Sequence, residues 1–239
     1  MLSQSSIPVS GPALHGKTRL VYLPGIDGTG RLLHRQPGLF EEYDVRCVNY
    51  PQLQPNTYEE LVALGEAELG DGGIVLAESF GGAVALMLAL KRPELVRRLV
   101  LVNTFAFYPR RPLIRLLAIL GRYLPKRPSS VWTRGLRGIL FFPPNTSQSE
   151  QDAWWDLTAD VPMWTYGMRM ALLANMDLRS RLNEIRCPSI VFVAPNDRIV
   201  PPPAGRLLAK RLTNVRLIEM PLGHAAMIHP SLDVADWLR

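Results

Sequence analysis

Six short apolar runs punctuate the chain: Arg19–Leu23, Asp44–Asn49, Ile74–Leu76, Leu99–Val102, Ser189–Val193 and Val215–Glu219. Val, Ile and Leu dominate them, and several stop at turn residues such as Pro24-Gly25 and Pro51. Short apolar runs of this kind, bounded by turn signals, predict strands buried on both faces. Helical patterns separate them. Thr57 with Glu60 forms a capping box that opens a helix to Leu69. The small and apolar residues Gly82–Leu90 predict a helix that stops before Pro93, and Ala204–Leu212 a further one. Strands alternating with helices imply an α/β fold: a mostly parallel, doubly wound sheet covered on both faces. In such sheets the chemistry gathers at the carboxyl ends of the strands.

One interval breaks the rhythm. Between Asn103 and Pro188 no clear strand appears; helical runs such as Leu113–Leu124, proline breaks and clustered aromatics take its place. This predicts a helical cap over residues 104–185 inserted into a core formed by 1–103 and 186–239. With 239 residues, 47% of them hydrophobic, the chain suits one such domain. No apolar run approaches the ~20 residues that cross a bilayer, and Met1–Ser10 lacks the pattern of a secretory signal. Cys47 and Cys187 fall beside or within strands, which predicts free thiols and a reducing cytoplasm.

Charge sharpens the picture of the cap. The net charge is +6, yet Phe105–Ser149 contains no Asp or Glu and eight Lys or Arg, so the rest of the chain sums to −2. A segment so one-sided either serves as a solvated face or meets an anionic partner. It argues against a surface generally coated by nucleic acid.

The candidate chemistry lies at strand ends. Ile74-Val75-Leu76 runs through Ala77-Glu78-Ser79-Phe80-Gly81 into a helix, the sequence form of a nucleophile elbow. The plainer reading is a serine capping a helix. The first strand ends in Pro24-Gly25-Ile26-Asp27-Gly28-Thr29-Gly30, a loop whose glycines let backbone N–H groups approach a ligand. It fits neither G-x-G-x-x-G nor a P-loop, so nucleotide binding is not expected. Ile26 and Phe80 N–H are the candidate oxyanion donors. Asp197, just past the fifth strand, is a candidate to orient an imidazole, or else a plain turn aspartate. Asn103 holds the alternative position but cannot carry charge. His224 follows Gly223 after the sixth strand; of the others, His15 lies in the arm, His34 in an early helix and His229 before Pro230. Ser79, Asp197 and His224 occur in the order nucleophile, acid, base.

With these three motifs the chain resembles an α/β-hydrolase, over about residues 19–103 and 186–239. Within that superfamily, Leu-Pro-Gly-Ile-Asp-Gly-Thr-Gly and Glu-Ser-Phe-Gly-Gly resemble the esterase, lipase and thioesterase group that includes the phytyl ester synthases. The usual His-Gly of the oxyanion loop is here Pro24-Gly25, and the His-x4-Asp element of the phytyl ester synthases' acyltransferase part is absent. The resemblance implies a Ser79-His224-Asp197 triad, a cofactor-free and metal-free acyl-enzyme mechanism, and a small-molecule acyl ester or thioester as substrate. Acyl transfer to a lipid alcohol and non-catalytic ligand binding are the alternatives. Trp132, Trp154, Trp164 and Met168 are candidate substrate contacts in the cap, with Asp27 in the loop below. The basic segment would meet an anionic lipid surface or an acidic acyl carrier protein, which would place a cytoplasmic protein peripherally at a membrane.

Overall fold

The computed structural model describes residues 16–123, 141–143 and 146–239. Six strands, β1 (Arg19–Leu23), β2 (Asp44–Cys47), β3 (Gly73–Glu78), β4 (Val96–Val102), β5 (Ser189–Val193) and β6 (Val215–Glu219), form one sheet in the order β2-β1-β3-β4-β5-β6. Every pairing is parallel. Each strand must therefore return through a crossover, and the helices of those crossovers cover the two faces.

Successive strand residues feed opposite cores. Val21, Leu23, Val75, Ala77, Leu99, Leu101, Val191 and Val193 pack with α2 (Tyr58–Leu69), α3 (Phe80–Lys91) and α7 (Pro202–Arg211). Leu20, Tyr22, Leu76, Val100, Val102 and Phe192 pack with α1 (Pro37–Glu42) and α8 (Val234–Leu238). The Thr57–Glu60 capping box opens α2 as the sequence implies. Helix α3 is buried nearly all round, which explains why its sequence lacks a polar face.

Between β4 and β5 run three described α-helices, α4 (Arg111–Gly121), α5 (Gln148–Thr158) and α6 (Met163–Leu173), and a short 3-10 turn, Leu182–Glu184. Helix α4 ends three residues before the expected limit at Leu124, which lies outside the described residues. Helices α4 and α6 cross at two glycines. A Cβ on Gly121 would lie 2.3 Å from the Gly167 Cα, so no larger side chain fits the crossing. Helix α5 sends Trp154 and Trp155 into the core beside α1 and α8. Arg31, in the segment after β1, also reaches Asp160 between α5 and α6 at 2.7 Å.

The register aligns the strand ends. Leu23 sits beside Ala77, Glu78 beside Val102, and Val102 beside Phe192. The loops after β1, β3, β4 and β5 thus emerge at one edge.

Candidate active site

Ser79 occupies the turn between β3 and α3 with φ 50° and ψ −115°. A positive φ is costly for a residue with a Cβ, and it is held here by packing on both sides of the turn. A Cβ on Gly81 would come within 2.3 Å of the Leu23 carbonyl oxygen, and one on Gly82 within 2.0 Å of Thr104 Oγ1. Thr104 Oγ1 in turn donates to the Ser79 carbonyl at 2.6 Å. Ser79 stands at the N-cap of α3, yet its side chain makes no capping hydrogen bond. The reading of a plain helix cap therefore fails, and the hydroxyl is left to face a cavity.

That cavity has a volume of about 260 Å³ and an apolar wall to which Ile26, Ser79, Phe80 and His224 all contribute. Neither the Ile26 nor the Phe80 N–H finds a backbone or side-chain acceptor among the described residues. At Phe80 this is the ordinary state of a helix's first turn, whose N–H groups and dipole favour negative charge.

Asp197 is 6% exposed and His224 4%. His224 Nδ1 lies 2.7 Å from Asp197 Oδ2. The other carboxylate oxygen, Oδ1, accepts from the N–H groups of Ile199 and Val200, each at 2.8 Å. Asp197 thus does two jobs: one oxygen closes its turn, and the other fixes the imidazole. Burial disfavours the charged imidazole, but the charge and hydrogen bond of Asp197, with Glu78 adding to them, outweigh it and raise the His224 pKa above its ordinary value. The imidazole and the Ser79 hydroxyl make no direct hydrogen bond here. In ligand-free sites this link is often long and tightens on substrate.

Two neighbours were not singled out for these roles by the sequence. Asn103, with φ 47°, donates from Nδ2 to the carbonyls of Gly223 (3.0 Å) and His224 (3.2 Å) and accepts from Ala194 N–H at Oδ1 (2.9 Å). It ties the histidine loop to the ends of β4 and β5. Glu78 is buried beside the elbow and accepts from the Tyr22 hydroxyl at 2.6 Å. Burial pushes its carboxyl up to about 7, while the Tyr22 hydrogen bond pulls the other way.

The expected substrate contacts fare differently. Asp27 points into its own turn, where Oδ2 accepts from Thr29 N–H (2.9 Å) and hydroxyl (2.6 Å), and it is not part of the cavity wall. Trp154 stacks edge-on against Phe142 and Trp155 in the core and packs behind the cavity residue Phe141, ring centres 4.6 Å apart, without lining the cavity itself. Trp164 and Met168 are half-buried but absent from the wall, and Trp132 lies outside the described residues. Met163, Tyr166 and Met170 take their place from α6, opposite Leu113, Ile114 and Leu117 of α4. Helical phase decides this: Met163, Tyr166 and Met170 fall on one face at i, i+3 and i+7, and Trp164 and Met168 fall off it. Of the other histidines, His34 stacks on Phe40, and His229 accepts from Ser231 N–H to brace its loop.

A family model described as "Alpha/beta hydrolase family" matches residues 14–237. The chain belongs to this family. It is 25% identical over 231 residues to a Yersinia enterocolitica protein, RutD, whose name assigns it to carbamate hydrolysis; the match covers 87% of this chain and 81% of that one. It is 34% identical over 110 residues to phytyl ester synthase 1 of Arabidopsis thaliana, covering 42% of this chain and 16% of that protein. Among solved structures, the enol-lactonase of Burkholderia xenovorans superposes with a TM-score of 0.80 at 18% identity, over 92% of this chain and 88% of that one. The chain is a hydrolase of this fold.

Proposed function

We propose that the protein is a serine hydrolase that cleaves carboxylic esters or thioesters of an apolar acyl group through an acyl-enzyme. The observation that carries this reading is the buried Asp197–His224 pair, which opens onto the same apolar cavity as the uncapped Ser79.

In this reading His224 Nε2 takes the proton from the Ser79 hydroxyl as Oγ attacks the acyl carbonyl. Asp197 keeps the proton of the imidazole on Nδ1 and stabilises the imidazolium that forms. The Ile26 and Phe80 N–H groups receive the negative oxygen of the tetrahedral intermediate, each such donor contributing about 3–4 kcal/mol in comparable sites. His224 then protonates the leaving alcohol or thiol. Water repeats the sequence on the acyl-enzyme and releases the acid.

The helices over residues 104–185 act as a cap that selects the acyl group. The cavity's volume of about 260 Å³ falls below the roughly 300–1,000 Å³ of drug-sized sites, which favours short or medium acyl chains over long ones. Its apolar wall favours an acyl carbon chain over the small polar substrate that carbamate chemistry implies.

The test is a series of p-nitrophenyl esters of increasing chain length, run beside one acyl thioester and one carbamate, with a fluorophosphonate probe. Turnover that peaks at short to medium chains, with labelling of Ser79 that disappears in Ser79→Ala and His224→Ala, supports the reading. A folded protein that neither turns over an ester nor takes the label is a binding protein instead. Product analysis with and without a long-chain alcohol separates hydrolysis from acyl transfer.

A further inference from the structure

Helix α6 carries one charge in an otherwise uncharged run, Met-Trp-Thr-Tyr-Gly-Met-Arg-Met-Ala-Leu-Leu. That charge, Arg169, is only 1% exposed. Its guanidinium leaves the insertion and enters the loops of the sheet. Nη1 donates to the Ile26 carbonyl at 2.7 Å, Nη2 to the Pro51 carbonyl at 3.0 Å, and Nε to Asn56 Oδ1 at 3.3 Å. The Tyr50 ring lies 5.3 Å away. Gly28, at φ +68°, leaves the room: a Cβ there would sit 2.4 Å from Nη1. The Gly28 carbonyl accepts from Tyr50 N–H at 2.8 Å, which closes the nest around the guanidinium.

Resting on the acyl-hydrolase reading above, we propose that Arg169 is the positioning residue that holds Ile26 in its donor geometry, so that the cap and the oxyanion hole form a single unit. The shortest of its contacts falls on the carbonyl of a cavity-lining residue whose own N–H has no acceptor among the described residues. Only the two dihedrals of Ile26 separate that carbonyl from that N–H, so fixing one restricts the other. A glycine-rich loop has little side-chain packing to do the same. The arrangement is costly as mere filling: burial holds the guanidinium down to about 10, although the Asp27 charge counters it. A planar fork reaching three acceptors on two loops, the one after β1 and the one between β2 and α2, suits bracing, which a lysine cannot reproduce. The same helix lines the acyl cavity through Met163, Tyr166 and Met170. Substrate packing against α6 is therefore mechanically joined to the donor loop.

The test compares Arg169→Lys and Arg169→Met with the parent on the preferred p-nitrophenyl ester, and follows amide exchange over residues 24–30 against residues 73–79. The expected result is a kcat loss of at least about tenfold, up to the 10²–10³ seen when a donor is removed. KM should stay within about twofold, and exchange should quicken over 24–30 alone. Added methylguanidinium should restore part of the kcat in Arg169→Ala. Unchanged exchange over 24–30 overturns the brace, and so does a loss carried wholly by KM. Failure of both variants to fold would make Arg169 a stability element and also overturn it. A parent that neither turns over esters nor takes a label at Ser79 refutes the acyl-hydrolase reading, while the exchange comparison still decides whether Arg169 restrains the loop.

Discussion

At the scale of single residues, Asp197 shows how one side chain can satisfy both a plain and a chemical reading. Its Oδ1 closes a turn, as aspartates often do, and its Oδ2 holds His224 at 2.7 Å. The two roles make a specific prediction for Asp197→Asn. The amide keeps much of the turn but reverses the preference for the imidazole tautomer, and kcat should fall by about 10⁴. The acid limb of the pH–rate profile carries a second signature. In the proposed mechanism the general base works only when neutral, so activity should be lost as pH falls through the His224 pKa. That pKa is raised in the parent, chiefly by Asp197 against the opposing effect of burial, so the limb should lie above the ordinary value of about 6.5. In Asp197→Asn the residual activity should have its limb at lower pH. A limb that stays in place would mean another group controls it. Asn103 is a second case. Asn103→Ala leaves the buried Ala194 N–H and the Gly223 and His224 carbonyls without their partner. An unsatisfied buried group costs about 1–3 kcal/mol. Thermal denaturation should show that loss, and kcat should drop with it because the histidine loop is what moves.

At the scale of elements, the strands were legible because buried parallel strands leave a crude signal: runs of Val, Ile and Leu ended by Pro or Gly. Arg19–Leu23, Ser189–Val193 and Val215–Glu219 match their expected bounds residue for residue. The elbow was legible for a steric reason, since Gly81 has no space for a Cβ. The cavity-lining residues were not. Aromatic content in the insertion cannot say which face each ring takes, and Trp154 went to the core while Met163 and Met170 reached the cavity. Arg169 left a trace, a lone charge in an apolar helix, but its partners lie on loops more than a hundred residues away. The Gly121–Gly167 crossing was equally silent, because contact between two helices depends on their angle rather than on either sequence alone. It yields a prediction. Gly167→Leu must push α4 away from α6, and overpacking of this kind costs typically about 1–3 kcal/mol. Since both helices line the cavity, the chain-length profile of the hydrolase should shift along with the Tm. A lowered Tm with an unchanged profile would separate the crossing from substrate choice.

At the scale of the whole molecule, the question is what the basic segment does. Of its four described arginines, Arg111 is already engaged, over the Phe107 ring and with the Met176 carbonyl at 2.6 Å, and Arg110 donates to the Arg198 carbonyl at 3.0 Å. Arg115 on α4 and Arg122 just past its end are exposed, next to the exposed Leu116, Ile119, Leu120 and Tyr123. The same helix turns Leu113, Ile114 and Leu117 to the cavity. Exposed charge and exposed apolar surface therefore share the helix whose other residues line the cavity, while α6 is pinned to the loops of the sheet by Arg169. We propose that this face receives an acyl substrate presented on an anionic carrier. Exposed charges act through water and are screened over about 8–10 Å at ordinary ionic strength. The KM for an acyl thioester on an acidic carrier protein should then rise with salt, while the KM for a p-nitrophenyl ester of the same acyl group should not. Arg115→Gln with Arg122→Gln should raise the first KM and flatten its salt dependence, leaving kcat in place because neither side chain reaches the cavity. Vesicles rich in anionic lipid provide the contrasting arm: binding to them that the double variant loses, with no salt effect on the carrier substrate, would assign the patch to a membrane surface instead.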